Sequence, residues 1–446
     1  MAEKPVTPQF TDSEMDDYFP PRPLVRAKPS ETTFVPPRQS VIPENKRRSR
    51  LSGLDIPLLV VVALLLAIGA MMVYSTTFYW SVEDFGNETT MLLQHMRNMA
   101  IGGVMLILLA LIDYRIWKRF AFMILIVTIA SLIAVYFFSD EVFGARRALL
   151  GGSYQPGELA ELTIVIYLAA LFSSKRVKVD SFMQGLLPFV VVVGVICFLV
   201  MLQPDLSTAA TIAAVGVVVF FLAGANLTYL FGGGAILGIV GVFLAQNLEY
   251  ATDRISGFAA SLSDLVDSSY HTQQAIIAFR NGEWFGVGLG QGRQKFGFLP
   301  APHTDSIFAS IGEELGVLGA AFVVALFVVF AIRGLKIARQ SNDTFGMLLA
   351  SGISLWIIIK AMFNIAVMLS LVPPTGVALP FISYGGSSLF TVLAGIGLLL
   401  SVGRVNAMNR VAEGRNPRAN FNRGWGNGGA RVPSAGSRRT DPPATP

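Results

Sequence analysis

The sequence has very little cysteine, histidine and charge. Cys197 is the only cysteine in 446 residues, which rules out an intrachain disulfide and a cysteine-based metal site. The three histidines are widely separated, and His271 and His303 have only weak metal-ligand spacing with Asp305; we predict no metal site. An HExxH pair and a Walker-type lysine are also missing, so zinc proteolysis and ATP-driven transport have no support.

Charged residues make up only 14% of the chain, whereas hydrophobic residues make up 53%. This balance is typical of a polytopic membrane protein. The net charge of +5 is concentrated in tails and short loops, a distribution that orients a membrane protein. We therefore predict a membrane partner and no nucleic acid.

Long apolar segments predict an all-α polytopic membrane protein with about ten transmembrane helices. The first runs from Leu54 to Tyr74, and the others are expected near 91–112, 118–138, 157–173, 183–202, 206–223, 226–246, 308–332, 346–371 and 382–402. With this count the short basic loops fall on one side of the membrane. Both termini are then predicted to be cytoplasmic.

Composition divides the chain into three parts. Residues 1–50 and 413–446 are rich in proline, glycine or charge and are predicted to be disordered cytoplasmic tails. Residues 51–412 form the predicted transmembrane domain. Its interval 247–307 is a long extracytoplasmic loop, and a loop of this length is usually functional or disordered.

The segment 296–316 places several charges between long apolar runs. An ionised Asp305 at the mouth of a membrane domain has a high free-energy cost unless water or a partner reaches it. Asp305 is therefore a candidate catalytic residue. The alternative is that Asp305 caps a helix beginning at Ser306. A second polar segment, the glycine-rich run 286–292, lacks the strand and helix of a dinucleotide loop and predicts a tight turn with positive φ.

Lys360 lies in the middle of the ninth predicted span, where an unpaired ammonium is costly. We predict that it pairs with Glu161 in the fourth span. Glu158 and Glu161 are spaced i, i+3, so one helical face carries both carboxylates. Asn364, one turn after Lys360 on the same face, can extend the polar track or hydrogen-bond a neighbouring helix, and we expect the latter.

Two arginines lie in a loop on the predicted outer face, against the usual distribution of positive charge. Arg146 and Arg147 can form salt bridges to Glu158 or to acidic outer loops. They can equally form an anion site, because guanidinium binds phosphate oxygens in a bidentate fork.

Several motifs together resemble the SEDS family of bacterial cell-wall polymerases over about residues 54–404. They are QPGE at 155–158, QPDL at 203–206, WFGVGLG at 284–290, HTD at 303–305, GEELG at 312–316 and LPFISYGGSS at 379–388. The runs GRQKFGFLP and PFISYGGSSL are more similar to the division members of the family than to its elongation members.

The resemblance implies a ten-helix fold and peptidoglycan glycosyltransferase activity that polymerises lipid II into β-1,4 glycan strands in septal wall synthesis. Its essential aspartate corresponds to Asp305. The substrate-binding positions implied or inferred are Arg146, Arg147, Glu158, His303, Thr304, Lys360, Ser383 and Tyr384. Relatives usually carry lysine at the position of Glu161 and glutamine at that of Lys360. We therefore expect the positively charged side chain of the fourth helix in relatives to be replaced here by one on the ninth helix.

The resemblance also implies partners and a location. Lipid II, a class B penicillin-binding protein and other divisome proteins are expected partners, and the active site is expected on the outer face of the cytoplasmic membrane at the septum. No cofactor is required by the sequence, and a divalent cation, Mg or Mn, stays open. The alternatives are a lipid II flippase and an elongation polymerase.

Overall fold

The computed structural model describes residues 54–139, 154–246, 258 and 270–414, and within these ranges the regular structure is helical, with no β-strand. The predicted all-α class is therefore confirmed. The helices are α1 (Ile56–Phe85), α2 (Thr90–Leu111), α3 (Arg115–Phe138), α4 (Pro156–Phe172), α5 (Leu187–Met201), α6 (Leu206–Leu222), α7 (Leu227–Gln246), α8 (Tyr270–Gly282), α9 (Ile307–Arg339), α10 (Thr344–Met368) and α11 (Gly386–Gly414).

Seven helices of the described ranges are long and apolar enough to cross a membrane: α1, α2, α3, α5 with the π-helical turn Phe182–Leu186 before it, α9, α10 and α11. Helices α4, α6 and α7 occupy the three remaining predicted spans. The chain is thus a multi-pass membrane protein. Large apolar side chains such as Val104 and Phe122 are exposed on α2 and α3, whereas α10 and α11 are mostly buried in the bundle.

Some helix ends differ from the prediction. Helix α1 continues past Tyr74 to Phe85, where Gly86 ends it with φ 67°. Helix α11 begins at Gly386 rather than 382, because residues 383 and 384 are hydrogen-bonded to another loop. It also extends to Gly414, past the predicted start of the tail at 413. The tail 1–50 and the chain after Gly414 lie outside the described residues.

One end of the bundle is held by polar links near basic residues. Tyr114, between α2 and α3, donates a hydrogen bond from its hydroxyl to Asp343, which caps α10. Burial, with the Asp343 carboxylate, raises the pKa of Tyr114 to about 12. Arg333 in the second half of α9 forms an ion pair with Asp55, the N-cap of α1, at 2.6 Å. These contacts place the basic turns of α2–α3 and α9–α10 at the same end, as the charge distribution predicts.

Helix α9 is interrupted at Gly316, which has φ 69° and ψ −173°. The amide groups freed by this kink donate to the segment after α8: Val317 N to Glu283 O at 2.9 Å and Leu318 N to Trp284 O at 3.2 Å. The long interval 247–307 therefore contains a helix, α8, whose continuation is bonded directly into α9. In the adjoining turn Gly286, Gly288 and Gly290 have φ of 81°, 105° and 77°, which confirms the predicted turn.

Candidate functional site

Asp305 lies just before α9, whose N-cap residue is Ser306, so Asp305 is not itself the N-cap. Its main-chain oxygen accepts a 2.7 Å hydrogen bond from Asn364 Nδ2 of α10, and the same amide nitrogen donates to Val377 O at 2.7 Å. A Cβ added to Gly376 would lie 3.2 Å from Asp305 Oδ2. The carboxylate is therefore held against the connection between α10 and α11.

Ser306 fixes the other side of Asp305. Its hydroxyl is fully buried and donates to Pro300 O at 2.6 Å. Because a hydroxyl has one hydrogen, the 2.7 Å contact with His271 Nε2 is a bond in which the histidine donates. Helix α8 therefore contributes directly to the position of the Asp305 loop.

The two predicted motifs around residues 303 and 383 meet in space. Tyr384 N donates to His303 O at 2.8 Å, and Ser383 Oγ donates to Thr304 O at 2.6 Å. The His303 and Tyr384 rings are 5.8 Å apart in an edge arrangement. The structure thus brings His303, Thr304, Ser383 and Tyr384 next to Asp305. Ser383 is buried and also accepts from Leu379 N, so its hydroxyl serves loop docking.

His303 and Tyr384 lie in a desolvated environment. Burial lowers the pKa of His303, against an opposing effect of the Asp84 carboxylate. His303 Nδ1 is buried and has no hydrogen-bond partner among the described residues. Burial also raises the pKa of Tyr384, whose hydroxyl donates to Gln94 Oε1 at 2.7 Å. His303 is thus a neutral imidazole beside Asp305, and its substrate contact stays a prediction.

The predicted Lys360–Glu161 pair is confirmed. Lys360 Nζ lies 2.7 Å from Glu161 Oε2, and both side chains are buried. Lys360 also forms an ion pair with Glu158, and Trp356 Nε1 donates to Glu161 at 2.8 Å. The ammonium therefore bridges the two carboxylates of α4 and offsets one negative charge. Lys360 is 2% exposed, and direct substrate contact by its side chain stays a prediction.

Asn364 differs from its predicted role. Within the part of the chain that the structure describes, its amide nitrogen bonds two loop carbonyl oxygens, those of Asp305 and Val377, rather than a neighbouring helix. Lys360 and Asn364 are one turn apart, so one face of α10 carries both the ion cluster and the anchor of Asp305.

Another buried charge cluster was not predicted. Lys295 pairs with Glu314 at 2.7 Å, and Ser75 of α1 bonds both side chains. The neighbouring Glu313 accepts from the main-chain amides of Arg293 and Gln294. Two adjacent glutamates in an apolar helix indicate in the sequence that a buried charge needs a partner. The sequence spacing, however, does not identify Lys295 as that partner.

The structure does not test the predictions for the two loop arginines or for a bound metal ion. Arg146 and Arg147 lie outside the described residues. Among the residues that are described, no group of three or more histidine, cysteine or acidic side chains could hold a metal ion.

The fold and the site together define a multi-pass helical membrane protein with a carboxylate-bearing polar site at one end of the bundle. The family model described as "Cell cycle protein", for FtsW, RodA and SpoVE, matches residues 56–408. The chain belongs to this family.

Relatives match most of the chain. A probable peptidoglycan glycosyltransferase FtsW of Trichlorobacter lovleyi is 35% identical over 357 residues, covering 79% of this chain and 94% of its own. A protein of the same description from Bacillus subtilis is 35% identical, covering 80% and 92%. Stage V sporulation protein E of Bacillus subtilis is 34% identical, covering 78% and 97%.

Two solved structures share the fold. A chain from a peptidoglycan synthase complex, described as coordinating polymerization and crosslinking, has a TM-score of 0.65 and 25% identity, covering 79% of this chain and 98% of its own. RodA of Thermus thermophilus has a TM-score of 0.60 and 23% identity, covering 80% and 98%.

Proposed function

We propose that this chain polymerises lipid II into glycan strands, with Asp305 as the general base. The chain is a peptidoglycan glycosyltransferase, as the relatives named FtsW and the synthase-complex neighbour support. The observation that carries the mechanistic proposal is the placement of Asp305. Its main-chain carbonyl is held by Asn364 of α10 and the adjoining Thr304 carbonyl by Ser383, while its carboxylate lies beside Gly376, at the end of the bundle opposite the basic turns.

The proposed reaction is one displacement at an anomeric carbon. Asp305 accepts the proton of the acceptor 4-hydroxyl, that oxygen bonds the anomeric carbon of the donor, and the bond from this carbon to undecaprenyl pyrophosphate breaks. One displacement inverts the anomeric centre and gives a β-1,4 linkage. Arg146 and Arg147 are proposed to stabilise charge on the departing pyrophosphate.

The remaining site residues are proposed to position substrate. His303, Thr304 and Tyr384 border the same loop junction beside Asp305. Glu158 is proposed to face substrate with the charge balance set by Lys360. A participating Mg or Mn ion would enter with the pyrophosphate.

The location and partners are part of the proposal. The basic turns and the links between them support a cytoplasmic end. We propose on this basis that Asp305 faces the outer side of the cytoplasmic membrane and that both termini are inside. The FtsW-named relatives support the division septum. The synthase-complex neighbour supports a class B penicillin-binding protein as partner, alongside other divisome proteins.

Purified chain in detergent, given lipid II and the class B partner, tests this function. A polymerase makes glycan strands without a bilayer. A lipid II flippase needs two membrane faces and makes none, so absence of strands under these conditions would favour that alternative.

A further inference from the structure

A polar pocket of about 570 Å³ lies beside α8 and the glycine-rich turn, on the same side of the bundle as the start of α9. Its polar lining residues are Arg280, Asn281, Glu283, Gln291, Arg293 and Glu313. The volume falls within the range of roughly 300–1,000 Å³ that is usual for small-ligand sites. We call it the Arg280–Arg293 pocket.

The main chain around the pocket is fixed. Arg280 is in the last turn of α8, and the carbonyl of Glu283 accepts from Val317 N of α9 at 2.9 Å. Arg293 N donates to Glu313 Oε1 at 3.1 Å. The backbone positions of both arginines are therefore set without a ligand, which reduces the ordering cost of binding.

Some charged groups of the pocket have hydrogen-bond partners and others have no ion-pair partner. Glu313 is occupied by amide donors, including Asn281 Nδ2 at 3.3 Å. Neither guanidinium, of Arg280 or of Arg293, forms an ion pair within the described part of the chain. Two guanidinium groups are thus available to an anionic ligand, and guanidinium suits carboxylate and phosphate oxygens.

The two glutamate carboxylates that line the pocket discriminate between carboxylate and phosphate ligands. Glu283 is exposed on the pocket wall and Glu313 lies at its base. These two glutamates repel a compact, multiply charged anion such as pyrophosphate. A ligand whose carboxylates are separated by peptide groups can instead place each carboxylate on an arginine and away from the glutamates. The amides of Asn281 and Gln291 complement such peptide groups.

We propose that the Arg280–Arg293 pocket binds the carboxylate-bearing peptide stem of the peptidoglycan substrate, a proposal that rests on the proposed function. The stem can belong to the incoming monomer or to the growing strand. In either case, the pocket orients substrate on the outer face and determines specificity for the peptide rather than performing chemistry.

Binding of a soluble disaccharide-pentapeptide, without lipid or pyrophosphate, to the full chain in detergent tests this site by calorimetry. We expect saturable binding that weakens at least tenfold in the double variant Arg280→Gln/Arg293→Gln. The matched control is Arg176→Gln/Arg339→Gln, which removes two exposed arginines outside the pocket and should bind like wild type. Thermal unfolding checks that each variant is folded.

A probe with amidated stem carboxylates gives the second arm. It should bind wild type as weakly as the double variant binds the unmodified probe, and the double variant should not distinguish the probes. Equal binding of wild type and double variant, or no effect of amidation, overturns the proposal. Displacement of the probe by inorganic pyrophosphate at equal concentration also overturns it, in favour of a phosphate site.

An uncrosslinked strand fragment with two stems, compared with the monomer, assigns the source: whichever binds more tightly through the arginines is the occupant. Asp305→Asn separates this proposal from the proposed function. If the pocket assignment is right, that variant keeps probe binding whether or not it makes strands. If the double variant polymerises with unchanged KM for lipid II, the pocket proposal fails while the polymerase function stands.

Discussion

Asn364 of α10 holds the main-chain carbonyl of Asp305 through a 2.7 Å hydrogen bond across 59 positions of sequence. The same Nδ2 atom bonds Val377 O, so one amide joins the start of α9 to the connection that faces the Asp305 carboxylate. One turn earlier on α10, Lys360 forms ion pairs with both Glu158 and Glu161. Helix α10 therefore positions the proposed base and supplies the cation that bridges the two carboxylates of α4.

Asn364→Ala should lower kcat for strand synthesis by about tenfold to a hundredfold, because displacement of a reacting group by 1 Å can cost about 10²-fold. The change leaves two carbonyl groups without their donor and frees the Asp305 loop. Initial rates with lipid II measure the effect. Asn342→Ala, in the exposed turn between α9 and α10, is the matched control and should keep wild-type rates. Equal rates for both variants would refute the positioning role.

Gly376→Ala should also reduce kcat, because its methyl group would stand 3.2 Å from Asp305 Oδ2, closer than ordinary van der Waals contact. At Gly385 the nearest atom to an added methyl is Ser388 Cβ at 3.7 Å, so Gly385→Ala is a matched control with little expected effect. Polymerisation rates and thermal unfolding of both variants provide the comparison. A Gly376→Ala protein as active as Gly385→Ala would show that the carboxylate is not confined there.

Lys360→Met should destabilise the fold by about 3–5 kcal/mol, because two carboxylates of α4 then lose their cation. Neutralising Glu158 and Glu161 to glutamine in the same protein should restore part of this loss. Thermal unfolding in detergent measures the cycle. Purely additive losses would contradict coupling among the three residues.

Acidification should destabilise the protein partly through His303. Burial lowers the folded-state pKa of this imidazole below the unfolded value of about 6.5. As pH falls through 6.5, the unfolded chain gains a proton that the folded chain does not, so the free energy of unfolding decreases. Melting temperatures between pH 7.5 and 5.5 should fall less for His303→Gln than for wild type. Identical pH slopes would contradict this assignment.

Sequence patterns predicted the helices because each apolar run must satisfy its backbone groups within the hydrocarbon layer. They also predicted the Lys360–Glu161 pair, because a buried ammonium needs an anion. Both inferences follow from the cost of polarity in lipid, which does not depend on details of packing.

The contacts made by the loops could not be predicted from the cost of polarity in lipid. Asn364 reaches Asp305, and Lys295 reaches Glu314, only because α8, α9 and the turn between them fold against α1 and α10. The kink at Gly316 lies inside the span predicted near 308–332, because the apolar pattern alone gives no reason to divide that span there. The bond between Ser306 and His271 could be seen only once α8 was located.

The most direct test of the account is strand synthesis by Asp305→Asn. Asparagine keeps the size of the side chain but does not accept a proton at neutral pH, so the variant isolates general-base chemistry. Purified wild type and variant, each with the class B partner and lipid II in detergent, are compared by the rate of glycan strand formation. We predict a loss of about 10²- to 10⁴-fold, the usual contribution of a general base. Strand formation by Asp305→Asn at the wild-type rate would contradict the central claim.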